Sequence, residues 1–223
     1  MTAHGVLRTI KPMPDFAAER AEMVWTQLLS RGIRSARVLE AMGEVPREAF
    51  VEPARWESAY EDNPLPIGER QTISQPYVVA LMLEAADLKL TDRLLDVGTG
   101  SGYAAAIASR LVASVYGIER HASLAERARE RFRALGYQNI ELKVGDGSKG
   151  WPEAAPFNAI LVAAAGTGVP EALKSQLAAG GRLVIPVGSH LFAQRLLKLT
   201  RTGDNEFVEE DLGGVAFVPL VES

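Results

Sequence analysis

Apolar positions recur at helical spacing from residue 15 to about residue 50. Phe16, Val24, Leu28 and Leu29 fall on one helical face, and Val38, Leu39 and Met42 repeat the pattern beyond a break at Gly32. Pro46, Pro53, Pro64, Pro66 and Pro76, with Gly68, then exclude continuous helix, so 45–76 reads as a long ordered loop. Loops of that length within a folded unit are commonly functional. From Pro76 onward the pattern is regular. It predicts a helix over 77–86, an apolar strand over 94–97 and an Ala-rich helix over 103–111. A strand over 115–118, a helix over 124–135 closed by Gly136, and strands over 140–144 and 159–163 follow. A helix near 170–177 starts at Pro170 and stops at Gly180-Gly181, before a strand over 182–186. Residues 194–200 and 215–220 read as two closing strands with no helix between them. Alternating strand and helix followed by a β-rich tail predicts an α/β fold, a doubly wound and mostly parallel sheet with a modified edge.

The strongest local signal is Leu94-Leu95-Asp96-Val97-Gly98-Thr99-Gly100-Ser101-Gly102-Tyr103. Glycines after a buried strand let the backbone turn sharply and approach a ligand, and the helix that follows offers free N–H groups to a carboxylate. Dinucleotide folds use a similar turn, but there the third glycine comes one residue later, where Tyr103 stands. The spacing therefore favours the methyltransferase form over a nicotinamide site. Glu119 ends the next strand about 20 residues on, where an acid accepts from ribose hydroxyls; the plainer reading is a solvated acid at a helix end. Asp146, in Gly145-Asp146-Gly147 after the third strand, is placed to accept from an adenine amino group, or else is simply a turn-forming Asp.

Composition narrows the picture. The 223 residues suffice for one domain, with 47 % apolar and 23 % charged residues. A net charge of −4 argues against a nucleic-acid partner, which needs a Lys/Arg excess. There is no cysteine, and the histidines, His4, His121 and His190, are scattered, so no metal site is expected. The first eleven residues lack a signal-peptide pattern, and the longest apolar runs, such as 159–165, are too short to span a bilayer. A cytoplasmic location without membrane attachment is the expectation. Oligomeric state stays open, with a monomer as the simplest case.

The segment Ala59-Tyr60-Glu61-Asp62-Asn63-Pro64-Leu65-Pro66-Ile67-Gly68 and the following Gln71-Thr72-Ile73-Ser74-Gln75-Pro76-Tyr77 resemble the signature of protein-L-isoaspartate O-methyltransferases. Gly145-Asp146-Gly147, the run from Gly180 to Gly188 and Phe217-Val218-Pro219-Leu220 extend the resemblance, which covers about 25–220. It implies a class I S-adenosylmethionine-dependent methyltransferase with a Rossmann-like, seven-stranded, mostly parallel sheet. The whole chain, 1–223, is then one methyltransferase domain, with 15–76 as N-terminal helical lid and acceptor loop and 77–223 as cofactor core. The implied activity is methyl transfer from S-adenosyl-L-methionine, leaving S-adenosyl-L-homocysteine, to the free carboxylate of L-isoaspartyl or D-aspartyl residues in damaged proteins and peptides. Ser74 matches the residue regarded as the active-site serine. The resemblance further assigns cofactor contacts to Thr72, Ile73, Asp96, Gly98, Thr99, Gly100, Ser101, Gly102, Tyr103, Glu119, Arg120, Gly145, Asp146 and Gly147. Acceptor contacts fall to Ile67, Arg70, Pro76 and Val215.

The chemistry agrees with these residue types. A carboxylate is ionised at neutral pH and needs no general base, so alignment and water exclusion must supply the catalysis. The Ser74 hydroxyl suits an acceptor carboxylate; as a residue, Ser equally suits a cap for the helix after Pro76. Arg70 replaces the glycine usual in the family, bringing a cation beside the acceptor loop and strain if the position requires positive φ. Asn158, Gly166-Thr167-Gly168 and 189–193 also depart from the family pattern. A paralogue acting on another carboxylate, or a non-catalytic scaffold keeping the cofactor fold, are the competing readings.

Overall fold

The computed structural model describes residues 15–189 and 193–221. The expectations for residues 1–11 and for most of the 189–193 loop therefore lie outside the described residues. A first helical stretch, α1 (Ala17–Glu22), runs on through a π turn (Met23–Leu28) and a 3-10 turn (Leu29–Arg31). It stops at Gly32, whose φ of 102° only glycine adopts readily. In α2 (Ala36–Glu44) the Ser35 hydroxyl accepts from the Val38 N–H and caps the first turn. The predicted loop holds more order than its prolines suggest. Two 3-10 turns, Arg47–Phe50 and Pro53–Ser58, lead into a hairpin of β1 (Leu65–Gly68) and β2 (Gln71–Ile73), and α3 (Pro76–Ala85) follows.

The core alternates as predicted: β3 (Arg93–Val97), α4 (Tyr103–Ala108), β4 (Ser114–Glu119), α5 (Ala122–Ala134), β5 (Ile140–Val144), β6 (Phe157–Val162), α6 (Glu171–Ser175) and β7 (Leu177–Val187). β8 (Gln194–Gly203) and β9 (Glu206–Val215) complete a seven-stranded sheet in the order β5-β4-β3-β6-β7-β8-β9. Pairing is parallel from β5 to β7 and antiparallel from β7 to β9. β3 has parallel neighbours on both sides, as expected for the strand feeding the glycine turn, and the two closing strands lie at one edge.

Two boundaries differ from expectation. The last strand is not 215–220 but Glu206–Val215, joined to β8 through a turn at Asp204 and at Asn205, whose φ is +60°. Glu209, Glu210 and Asp211 lie on this edge strand and break the apolar pattern that normally betrays a strand. Residues 216–221 instead run as irregular backbone, with one bridge between Ala165 and Pro219. In addition, β7 starts at Leu177, inside the predicted helix. Residues 178–181 form a bulge, because β6 residues Phe157 and Ala159 pair with Leu177 and Arg182 respectively.

Alternation along the strands splits the core. Leu94, Val115 and Leu161 face the N-terminal helices together with α3, α4 and α5, whereas Leu95, Ile118 and Ile160 face the side of α6. The junction of cofactor turn and helix is packed tightly: a Cβ on Gly102, whose φ is +97°, would lie 2.6 Å from the Phe132 ring on α5. Gly102→Ala should therefore lower stability by about 2 kcal/mol or more, combining left-handed strain with overpacking. Urea unfolding checks this; an unchanged midpoint would mean that Phe132 is free to move aside.

Candidate active site

After β3 the chain turns through 98–102 at the carboxyl end of the sheet. The Gly98 and Thr99 N–H groups both donate to the Ile118 carbonyl, at 2.8 and 3.1 Å, which pins the turn to β4. Gly100 has φ +56°, and a Cβ there would lie 3.1 Å from the Ile67 methyl, within the cradle between turn and hairpin. Its N–H donates to Glu119 Oε2 at 2.7 Å, while Oε1 of the same carboxylate accepts from the His121 N–H at 2.8 Å. Glu119 is 4 % exposed, so it is not a solvated acid. It fixes two backbone amides and, with further lone pairs, retains capacity for hydroxyl donors. Val97, Ile118 and Ala104 give the same cleft apolar walls, and residues 218–221 close its far side.

Asp96 lies beneath the turn. Its Oδ2 is buried with no hydrogen-bond partner among the described residues, and burial pushes its carboxyl up to about 7; Thr99 opposes the shift by hydrogen bonding and the charge of Glu119 adds to it. Asp146 is likewise beneath the surface of the cleft. Its Oδ1 accepts from the Ser148 N–H at 3.0 Å and hydroxyl at 2.6 Å, capping a 3-10 turn (Gly147–Lys149), and Gly147 is the residue of that loop which reaches the cleft.

A second cleft opens beside the first, between Pro64, Gln75 and Gln194 on one hand and Val215, Ala216 and Phe217 on the other. Thr72, Ser74, Ala163 and Val218 line both clefts, so the two share a wall. Ser74 does not cap α3: the cap position is Gln75, which makes no side-chain capping bond, and the Tyr77 N–H donates to Asp62 instead. The Ser74 hydroxyl has no hydrogen-bond partner among the described residues, while its carbonyl accepts from Arg47 Nη2 at 2.8 Å.

Arg47 is fully buried. Its Nε donates to Ala59 O at 2.7 Å, its Nη2 also reaches Asn63 O at 3.4 Å, and its guanidinium lies 4.8 Å from the Tyr103 ring centroid. Burial lowers its pKa, against the favourable influence of Tyr103, Tyr60 and Asp62.

Of the sequence-derived site residues, Ile67, Thr72, Ile73, Ser74, Gly98, Thr99, Gly100, Ser101, Tyr103, Glu119, Arg120 and Gly147 line the first cleft and Val215 the second. Asp96, Gly102, Gly145 and Asp146, predicted as cofactor contacts, do not line the first cleft. Pro76 is buried as the first residue of α3. Arg70 is not brought to either cleft. It forms the exposed tip of the hairpin with Glu69, both at positive φ (58° and 51°), as a two-residue turn demands. Sequence reading missed Arg47, Gln194 and the 218–221 wall. The first had a signal, an Arg-Glu pair enclosed by the apolar Val45-Pro46 and Ala49-Phe50, whereas the others depend on long-range contacts.

A mostly parallel seven-stranded sheet, with a glycine turn after β3 and a buried acid ending β4, defines a class I S-adenosylmethionine-dependent methyltransferase. Within that class, residues 18–223 match the family model of protein-L-isoaspartate(D-aspartate) O-methyltransferase (PCMT), and the chain belongs to this family. It is 59 % identical over 211 residues to the protein-L-isoaspartate O-methyltransferase of Methylorubrum extorquens (strain PA1), covering 95 % of this chain and 92 % of the relative. The Brucella anthropi enzyme of the same name is 54 % identical, with 94 % and 96 % covered. Among solved structures, one protein-L-isoaspartate O-methyltransferase superposes with a TM-score of 0.82 at 31 % identity, covering 91 % of this chain and 66 % of that one. A Plasmodium falciparum counterpart in complex with S-adenosyl-L-homocysteine gives 0.79 at 28 % identity, covering 92 % and 99 %.

Two predictions follow from the geometry of the first cleft. Glu119→Ala should weaken S-adenosylmethionine binding at least about tenfold, since each hydrogen bond to a charged acceptor is worth roughly 1.5–3 kcal/mol; titration calorimetry giving unchanged affinity would confine Glu119 to a structural role. Asp96, with its folded pKa raised to about 7, takes up its proton more readily folded than unfolded. Its contribution to stability is therefore most favourable below the unfolded pKa and is lost as pH rises toward 7. Asp96→Asn should gain in Tm over the native protein as pH rises from 5 to 8, and a constant difference would refute the assignment.

Proposed function

We propose that this chain transfers the methyl group of S-adenosylmethionine to the free α-carboxylate of L-isoaspartyl residues, and of D-aspartyl residues, in damaged proteins and peptides, initiating their repair. The observation that carries the reading is the shared wall: the unengaged Ser74 hydroxyl stands where the cofactor cleft meets the second cleft. Family membership and near full-length identity to enzymes of this name support the choice of substrate.

The residues present fit the cofactor: the glycine turn leaves a cradle that a Cβ on Gly100 would fill, Glu119 would accept from ribose hydroxyls, and Gly147 and Ile118 would border the adenine. When bound there, S-adenosylmethionine supplies an electrophilic methyl carbon on a sulfonium. The acceptor carboxylate is already ionised, so the chain need not remove a proton. Ser74 donates its hydroxyl hydrogen to one carboxylate oxygen and holds the other in line. Hairpin β1–β2 and residues 216–221 cover the junction and keep water from competing.

Ser74→Ala should lower kcat on an isoaspartyl peptide roughly 10- to 150-fold, the range for losing one hydrogen bond to a charged group in the barrier, while cofactor affinity stays within about twofold. Transfer of tritiated methyl to an isoaspartyl peptide and to its aspartyl twin checks both serine and substrate. Equal labelling of the twins would point to another carboxylate, and no labelling of either to a scaffold.

A further inference from the structure

Strand pairing between β8 and β9 begins with Gln194 opposite Val215, and beyond Val215 the chain returns as irregular backbone past the mouths of both clefts. Backbone without a strand partner must find its donors and acceptors elsewhere. Gln194, 5 % exposed, supplies one of each from a single side chain. Its Nε2 donates to Phe217 O at 3.1 Å, and its Oε1 accepts from the Phe217 N–H at 2.6 Å. Only one orientation of the amide satisfies both contacts, so the partners themselves fix which atom is nitrogen. The carboxamide thus imitates the donor–acceptor pair of an antiparallel ladder and extends β8 by one step.

A separate bracket holds the stretch nearer the cofactor cleft, where the Ala165 N–H donates to Val218 O and its carbonyl accepts from the Leu220 N–H, both at 2.8 Å. Arg120 Nη1 donates to Val221 O at 3.0 Å further along. The tail is therefore pinned at two neighbouring points. Gln194 holds Phe217, which lines the second cleft alone, and Ala165 with Arg120 holds 218–221, which wall the first, Val218 being shared.

We propose that Gln194 is a positioning residue for the acceptor, clamping Phe217 so that Val215, Ala216 and Phe217 form a fixed wall against which the isoaspartyl segment is aligned with Ser74. The inference rests on reading the second cleft as the acceptor site. It separates acceptor alignment from cofactor binding, because the two brackets are distinct.

The decisive variant is Gln194→Glu. Its shape is conserved, yet an ionised carboxylate faces the Phe217 carbonyl where an N–H stood, whereas the protonated acid restores one donor and one acceptor. Gln194 borders the second cleft and, on its other side, a third one lined by Ala165, Thr167, Gly188, Ser189 and residues 219–221; among the described residues no charged side chain lines either of these two. Arg195, next along β8, projects to the opposite face and pairs with Asp211 across β9, and Lys198 pairs with Glu210 beyond it. Nothing described is therefore placed to stabilise the ionised form, and burial favours the acid.

At pH 8, kcat/KM for an isoaspartyl peptide should fall about tenfold or more, with the S-adenosylmethionine Kd by calorimetry within about twofold of the native protein. The ratio of variant to native kcat/KM should then climb about fivefold or more as pH is lowered to about 5.5. A variant within about twofold of native activity at pH 8, or a loss that is equal at both pH values, overturns the proposal. So does a parallel loss of cofactor affinity. Hydrogen exchange on the native protein gives a reading that needs no variant to fold: the Phe217 amide must exchange far more slowly than an open loop amide, and unprotected exchange overturns the clamp outright. Failure of the native protein to methylate the peptide would instead strike the assigned function, leaving the exchange result to judge the clamp.

Discussion

Removing a guanidinium from water without a carboxylate partner is costly, and hydrogen bonds to carbonyls must offset that cost. Arg47 resolves the problem in a way on which the rest of the site depends. Its partners, Ala59, Asn63 and Ser74, are carbonyls of a segment whose regular structure is limited to short turns and a small hairpin, so those groups need a donor as much as the cation needs acceptors. The Tyr103 ring on the guanidinium's face belongs to the first residue of α4, directly after the glycine turn. One side chain thereby ties Ser74 to the helix that follows the glycine turn. Arg47 is itself steadied through its N–H, which donates to the Tyr60 hydroxyl at 3.1 Å, and that hydroxyl donates in turn to Glu48 and accepts from Arg20.

The hairpin is fixed from the other side. Arg127 on α5 donates to Ile67 O at 2.9 Å, and the Ser123 hydroxyl donates to Glu69 at 2.6 Å. α5 begins just beyond Glu119, the acid that grips the glycine turn. Cofactor turn, hairpin and N-terminal layer are therefore braced against each other through a few charged side chains at backbone carbonyls, with apolar packing behind them. That arrangement gives the irregular segment carrying Ser74 fixed partners for its carbonyls in place of a strand ladder.

The alternating core was legible because burial on both faces leaves nearly continuous apolar runs, as in Leu94-Leu95 and Ile160-Leu161-Val162. The glycine turn was legible because positive φ at Gly98, Gly100 and Gly102 restricts residue choice so severely. The closing edge was not. β9 is solvated and rich in Glu and Asp, while the apolar 215–220 that imitates a strand is apolar because it walls clefts. Ser74 remained open between cap and acceptor roles, since a serine before Pro76 satisfies both patterns; only Gln75 at the cap and Asp62 at the Tyr77 amide separate them. Arg70 was read as an acceptor contact, with a solvent-facing side chain an equal alternative; a two-residue turn with both φ values positive places it at the exposed hairpin tip.

The loop after β5 carries a further consequence. Among aspartyl sequences Asp-Gly is prone to ageing, because the glycine nitrogen, unshielded by a side chain, can attack the neighbouring carboxyl carbon and close a succinimide ring with loss of water. Asp146-Gly147 places that liability at the cofactor cleft of a protein whose proposed task is to reverse its product. Ser148 holds the Asp146 carboxylate with both N–H and hydroxyl, and Gly147 lies so close to Val97 that a Cβ would approach it to 2.4 Å. Ring closure there has to break both Ser148 contacts and shift the backbone beside Val97, so the packing of the loop opposes the ageing that its sequence invites.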